Sequence, residues 1–181
     1  MGVTEDPRAG RTTEHGGQSA TGMEADLFDE PELFSTIAAS GARALLIGRR
    51  ALIAIGMPVL TADYDYWIHL DDIAAFNDAL APLGLVPTLS PEDARKRGRY
   101  RLENHEIVDV LLGRQIPMTT GGTLVFDEVW SRRSPVEVAP GVDAQIPCLE
   151  DLVGTKRFGA RPKDLEDLRF LAVLIGTKEK G

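Results

Sequence analysis

Ala44 to Leu70, ALLIGRRALIAIGMPVLTADYDYWIHL, is the stretch that decides the fold. Ala44 to Ile47 reads as an apolar strand, Gly48 as a turn and Arg49 to Gly56 as a short helix. A loop through Pro58 then leads to a second strand carrying Asp63 and Asp65. Residues two apart on a strand share a face, with α-carbons about 6.5–7 Å apart, so both carboxylates are expected to project together. Paired hard oxygen donors suit Mg²⁺ or Mn²⁺, which are commonly held by one or two carboxylates plus substrate phosphates. The competing reading is two solvated charges on the outer side of a half-buried strand.

Downstream, Glu106 to Leu112 reads as a strand that forms a hairpin with Gly98 to Glu103 around Asn104 and His105. It contains Asp109 inside the apolar run Ile107-Val108-Asp109-Val110-Leu111-Leu112, the pattern of a buried strand. A buried carboxylate is costly unless paired, hydrogen-bonded or bound to a metal, so Asp109 is either a third ligand or an aspartate satisfied by an arginine or loop amides.

Between these strands, a helix capped by Asp71 or Asp72 presents Ile73, Ala74, Phe76, Ala79 and Leu80, and Leu83 to Leu89 reads as a third strand. Pro91 to Lys96 reads as a polar connection and Arg114 to Gly122 as a loop. A short strand at Thr123 to Phe126 is followed by a polar stretch containing Trp130, Arg132 and Arg133. Pro140 and Gly141 break Val136 to Ile146 into a hairpin. Two helices close the chain, Leu149 to Phe158 and one from Arg161 with its apolar face at Leu165, Leu168, Leu171, Ala172 and Ile175. Upstream, Ala25 to Ala39 is a packing helix with Pro31 near its start. Residues 1–24, nearly free of large apolar side chains, are expected to form a disordered tail, and 25–177 one domain that includes the helices within 149–175.

The chain has 181 residues, 43% of them hydrophobic, enough for one core. There is no run of 18 apolar residues and no signal-peptide layout, so the expectation is a cytoplasmic protein without a membrane partner. A net charge of -8 argues against binding long duplex nucleic acid. Yet Arg49 and Arg50, Arg95 to Arg101, and Lys156 to Lys163 form three basic clusters, which fit a polyanionic small ligand or a nucleic-acid end. One cysteine, Cys148, and three scattered histidines, His15, His69 and His105, give no zinc pattern. After Ile47 there is neither Gly-x-Gly-x-x-Gly nor Gly-Lys-Ser/Thr, which removes the Rossmann and P-loop readings.

In order and spacing, the strand ending at Gly48, Thr61-Ala62-Asp63-Tyr64-Asp65, Val108-Asp109-Val110, and Leu149-Glu150-Asp151-Leu152 through Lys156 to Arg161-Pro162-Lys163-Asp164 and Asp167-Leu168 resemble the minimal nucleotidyltransferase superfamily. Within it, the resemblance is to the group that includes AbiEii-type toxins. It covers about Ala44 to Leu174. It implies an α/β (α+β) fold, a mixed sheet flanked by helices with a C-terminal helical pair. It also implies transfer of a nucleoside monophosphate from an NTP to an acceptor, a protein or a tRNA end. On this resemblance Asp63, Asp65 and Asp109 are the catalytic, metal-binding residues and Mg²⁺ or Mn²⁺ the cofactor. Gly48, Arg49, Lys156 and Arg161 then contact the nucleotide. The family's Gly-Ser or Gly-Gly is replaced by Gly48-Arg49-Arg50, where a long side chain either crowds the triphosphate or supplies a guanidinium to it. A non-catalytic nucleotide- or partner-binding relative, and a plain scaffold, remain alternatives.

Overall fold

The computed structural model describes residues 28–118, 121–159 and 162–178; the expected tail, 1–24, lies outside them. The first helix, α1 (Glu30–Ala39), starts where the Asp29 carboxylate accepts the Glu32 amide at 3.1 Å, with Pro31 in its first turn. It buries Leu33, Phe34 and Ile37. Five strands form the main sheet: β1 (Ala44–Ile47), β2 (Tyr64–Ile68), β3 (Val86–Pro87), β4 (Arg99–Glu103) and β5 (Ile107–Leu112). Their order is β1-β2-β5-β4-β3, with β2 and β5 parallel and every other neighbour antiparallel. Because the chain makes α3 (Ile73–Leu80), β3, α4 (Pro91–Arg97) and β4 between β2 and β5, these two central strands can lie parallel.

Period-two alternation divides the sheet into two unlike faces. Tyr64, Tyr66 and Ile68, with Tyr100, Leu102, Val108, Val110 and Leu112, are buried on one face, in one cluster with α1 and the α3 residues Ile73, Phe76 and Leu80. The hairpin β8 (Ser134–Ala139) and β9 (Val142–Ile146) adds Ala144 and Ile146. Each such side chain contributes roughly 1.5–3 kcal/mol by leaving water. Leu45 and Trp67 face the other way, beneath Ile116, Leu124, Phe126 and Val129. Those come from β6 (Gln115–Pro117), β7 (Thr123–Val125) and α5 (Phe126–Ser131), and Trp67 Nε1 donates to the Gly113 carbonyl at 2.9 Å. This second cover is partial. The rest of the face is left open beside α2 (Gly48–Ala54), α6 (Leu149–Gly159) and α7 (Pro162–Lys178).

Several elements differ from the sequence expectation. Strand β2 begins at Tyr64, so Asp63 precedes it; the Asp63 amide donates to Thr61 Oγ1 at 3.2 Å, a local bond that replaces ladder pairing. The third strand shrinks to Val86–Pro87 at the sheet edge, where a residue without an N–H is tolerated. Pro91 to Lys96 is not a connection but most of α4, capped by Ser90 accepting the Asp93 amide at 3.1 Å and ended by Gly98 at φ +73°. Part of the Arg114 to Gly122 loop is β6, paired with β7, and the stretch around Trp130 is α5. Among the described residues no helix is long and apolar enough to cross a membrane.

Candidate functional site

The open part of the second face is a groove of about 830 Å³. Its floor carries Asp65 and Asp109, which are direct partners in the parallel β2/β5 register. On the neighbouring antiparallel strand Arg101 lies opposite Asp109, and on the other side Ile47 lies opposite Asp65. Two carboxylates far apart in the chain thus stand side by side because the parallel crossover sets their strands in register. Strand β5 is buried on one face only, so Asp109 is half-exposed rather than a buried carboxylate. Its Oδ1 accepts Arg101 Nε at 2.7 Å. That hydrogen bond, with the nearby charges of Asp109, Glu103 and Asp63, raises the Arg101 pKa above its ordinary value.

Gly48 closes one end of the floor. Its φ is +69°, and a β-carbon there would stand 2.7 Å from Asp65 Cγ. The turn is a glycine because the Asp65 carboxylate rests on its α-carbon. On the same side as Gly48 the groove is bounded by Thr155 and Lys156 of α6 and by Asp164 of α7. Lys156 is buried, with Nζ 2.9 Å from Asp167, a fully buried carboxylate that also accepts Arg49 Nε at 3.1 Å. Arg49 also reaches Glu166 at 3.1 Å. The residue that departs from the family pattern therefore turns to α7 and is absent from the groove lining, while Lys156 remains part of it.

Of the residues singled out in the sequence, the groove gathers Gly48, Asp65, Asp109 and Lys156. Asp63 is exposed and does not line it, although its charge is felt at Arg101. Arg161 lies outside the described residues. Sequence reading marked Arg95 to Arg101 as a basic cluster without assigning its members to the site; Arg97, Arg99 and Arg101 of that cluster line the opposite wall with Thr88, Leu89 and Glu103. The signal was Arg99-Tyr100-Arg101-Leu102-Glu103, whose alternation sends Tyr100 and Leu102 inward and all three charges to one face.

The donors on the floor are hard carboxylate oxygens, chemically suited to Mg²⁺ or Mn²⁺. Among the described residues no three His, Cys, Asp or Glu side chains form a ready-made cluster. The protein therefore offers a carboxylate pair, leaving phosphates and water to complete the shell of such an ion, as is common for Mg²⁺. Cys148 is no part of this site: burial pushes its thiol up to about 11, so it stays protonated at neutral pH.

No protein-family model and no curated protein matches the chain. Among solved structures, TM1012 from Thermotoga maritima, provisionally assigned as a nucleotidyltransferase, superposes with a TM-score of 0.55 at 13% identity, covering 77% of this chain and 87% of that one. The antibiotic-resistance factor ANT(2'')-Ia superposes with a TM-score of 0.57 at 10% identity, covering 82% of this chain and 83% of that one. Mixed sheet and flanking helices together give this chain the nucleotidyltransferase fold.

Proposed function

We propose that the protein transfers a nucleoside monophosphate from an NTP to a hydroxyl of a protein or RNA acceptor, in a toxin-like role in the cytoplasm. The observation that carries this reading is the register pairing of Asp65 with Asp109 on the floor of an open groove, between the Gly48 turn and Lys156. Asp65 and Asp109 would hold the divalent cation, with Asp63 at the rim, and the ion would supply charge neutralisation on the triphosphate. The glycine turn leaves room for phosphate oxygens to approach the backbone. Lys156, held by Asp167, presents a fixed positive charge toward the wall where those oxygens would lie. Asp109 is placed to take up the proton of the attacking hydroxyl once Arg101 yields its hydrogen bond.

Calorimetric titration of each of the four NTPs in the presence of Mg²⁺ tests the claim. Binding of at least one is expected, with loss in Asp65→Asn combined with Asp109→Asn; equal binding by the two proteins sinks it. One observation favours a second reading, nucleotide binding without transfer: both candidate groups already have partners, Asp109 in Arg101 and Lys156 in Asp167. Incubation with labelled NTPs and a cell extract separates the two, since only transfer leaves label on protein or RNA.

A further inference from the structure

The two walls of the groove differ in kind. On the Gly48 side the cation Lys156 is buried and neutralised by Asp167. On the other side Arg97, at the end of α4, and Arg99, on β4, are exposed and have no ion-pair partner among the described residues. That is unexpected in a chain of net charge -8, where acidic neighbours are abundant. Arg101, two residues beyond Arg99 on the same face, extends the row, its guanidinium on Asp109 and 4.0 Å from Glu103. Arg99 and Arg101 are spaced by about 6.5–7 Å along the strand, a line of charge rather than one convergent pocket.

We infer that the wall formed by Arg97, Arg99 and Arg101 binds the phosphodiester backbone of the acceptor, a single-stranded nucleic-acid end. The inference rests on the transfer reading above. In phosphoryl transfer the attacking and leaving oxygens lie roughly in line across the phosphorus. With the triphosphate on the Gly48 and Lys156 side of the carboxylate pair, the acceptor hydroxyl enters from the β4 side, where the unpaired guanidiniums stand. Guanidinium forks match phosphate oxygens, and a row of them suits a repeating anion better than a single phosphate. The bond formed joins the acceptor oxygen to the α-phosphorus; the bond broken releases pyrophosphate, and the hydroxyl proton passes to Asp109.

The test is fluorescence anisotropy with a labelled single-stranded RNA dodecamer on the full chain, beside calorimetry with Mg²⁺ and NTP. Arg97→Ala with Arg99→Ala is expected to weaken RNA binding about tenfold or more and to make the salt dependence shallower by about 1.4, two phosphates' worth. The NTP isotherm should not move. Arg95→Ala with Lys96→Ala removes the same charge from exposed positions outside the groove lining and should change RNA binding less than about twofold. Equal RNA affinity in wild type and the Arg97/Arg99 variant, or tighter binding of a phosphopeptide than of RNA, overturns the inference. Failure of the wild type to bind any NTP overturns the transfer reading instead, and is read on the separate titration.

Discussion

A methyl group at position 48 would lie 2.7 Å from Cγ and 2.9 Å from Cβ of Asp65, on a backbone whose φ is +69°. Gly48→Ala should therefore cost about 1–3 kcal/mol in urea unfolding through backbone strain and the displaced carboxylate. It should also weaken Mg²⁺-dependent NTP binding, which a purely structural glycine would leave intact. At the far end of β2, Asp72 accepts the Arg43 amide at 2.9 Å and its guanidinium at 2.8 and 3.1 Å. The hydrogen bond to Arg43 holds the Asp72 carboxyl below its ordinary range, so its stabilisation is present above the unfolded pKa and is lost as pH falls through the folded one. Asp72→Asn should cost about 1–2 kcal/mol at neutral pH, reduced by the partial exposure of Arg43. Below roughly pH 4 the difference between the two proteins should fade, as thermal melts across pH would show.

Among the elements, α7 depends most on charge. It packs chiefly on α6, and of its apolar residues Leu171 is fully buried while Leu165 and Val173 are largely exposed. Besides Leu171 in the main core, what fixes it to the rest is Asp167, shared by Arg49 from α2 and Lys156 from α6. Removing one member of a buried ion pair leaves the other uncompensated, so Asp167→Ala should destabilise the fold by about 3–5 kcal/mol in denaturant titration. Arg49→Ala should cost less, because Lys156 keeps its partner. Helix α4 owes its existence to its ends. Ser90 and Gly98 bracket seven residues of which Ala94 is the buried one, so Ser90→Ala should lose about 1 kcal/mol, measurable by chemical denaturation.

Across the whole molecule, one sheet face carries a continuous core while the other is covered only near Trp67. Native-state hydrogen exchange should accordingly be slowest in β2 and β5, central and paired on both sides, and faster in α7, which packs chiefly on α6 and gives the main core only Leu171 as a fully buried apolar side chain. Uniform protection across the two regions would contradict this layering. The same asymmetry explains the groove. A covering layer that extended over Asp65 and Asp109 would have to bury two carboxylates and Arg101 together, so the sheet stays open where its charges lie.

How much was legible follows from the range of each signal. The strand-glycine-helix unit, the Asn104 hairpin, the Pro140-Gly141 hairpin and the final helix pair are written in local periodicity and turn chemistry, and each is found where those signals put it. Helix α4 escaped because one small buried residue gives no hydrophobic period, although Ser90, Pro91 and Gly98 marked both of its ends. The sequence by itself determined the alternation of Arg99-Tyr100-Arg101-Leu102-Glu103, which keeps those charges out of the core, whereas the unbroken apolar run around Asp109 read as a buried strand and only the structure left that carboxylate half-exposed. Only the tertiary structure decided that Asp65 and Asp109 are neighbours, that Arg49 serves α7 rather than the groove, and that three arginines face Lys156 across it. Those depend on strand order and helix docking, which pair residues tens of positions apart and leave no trace in local spacing.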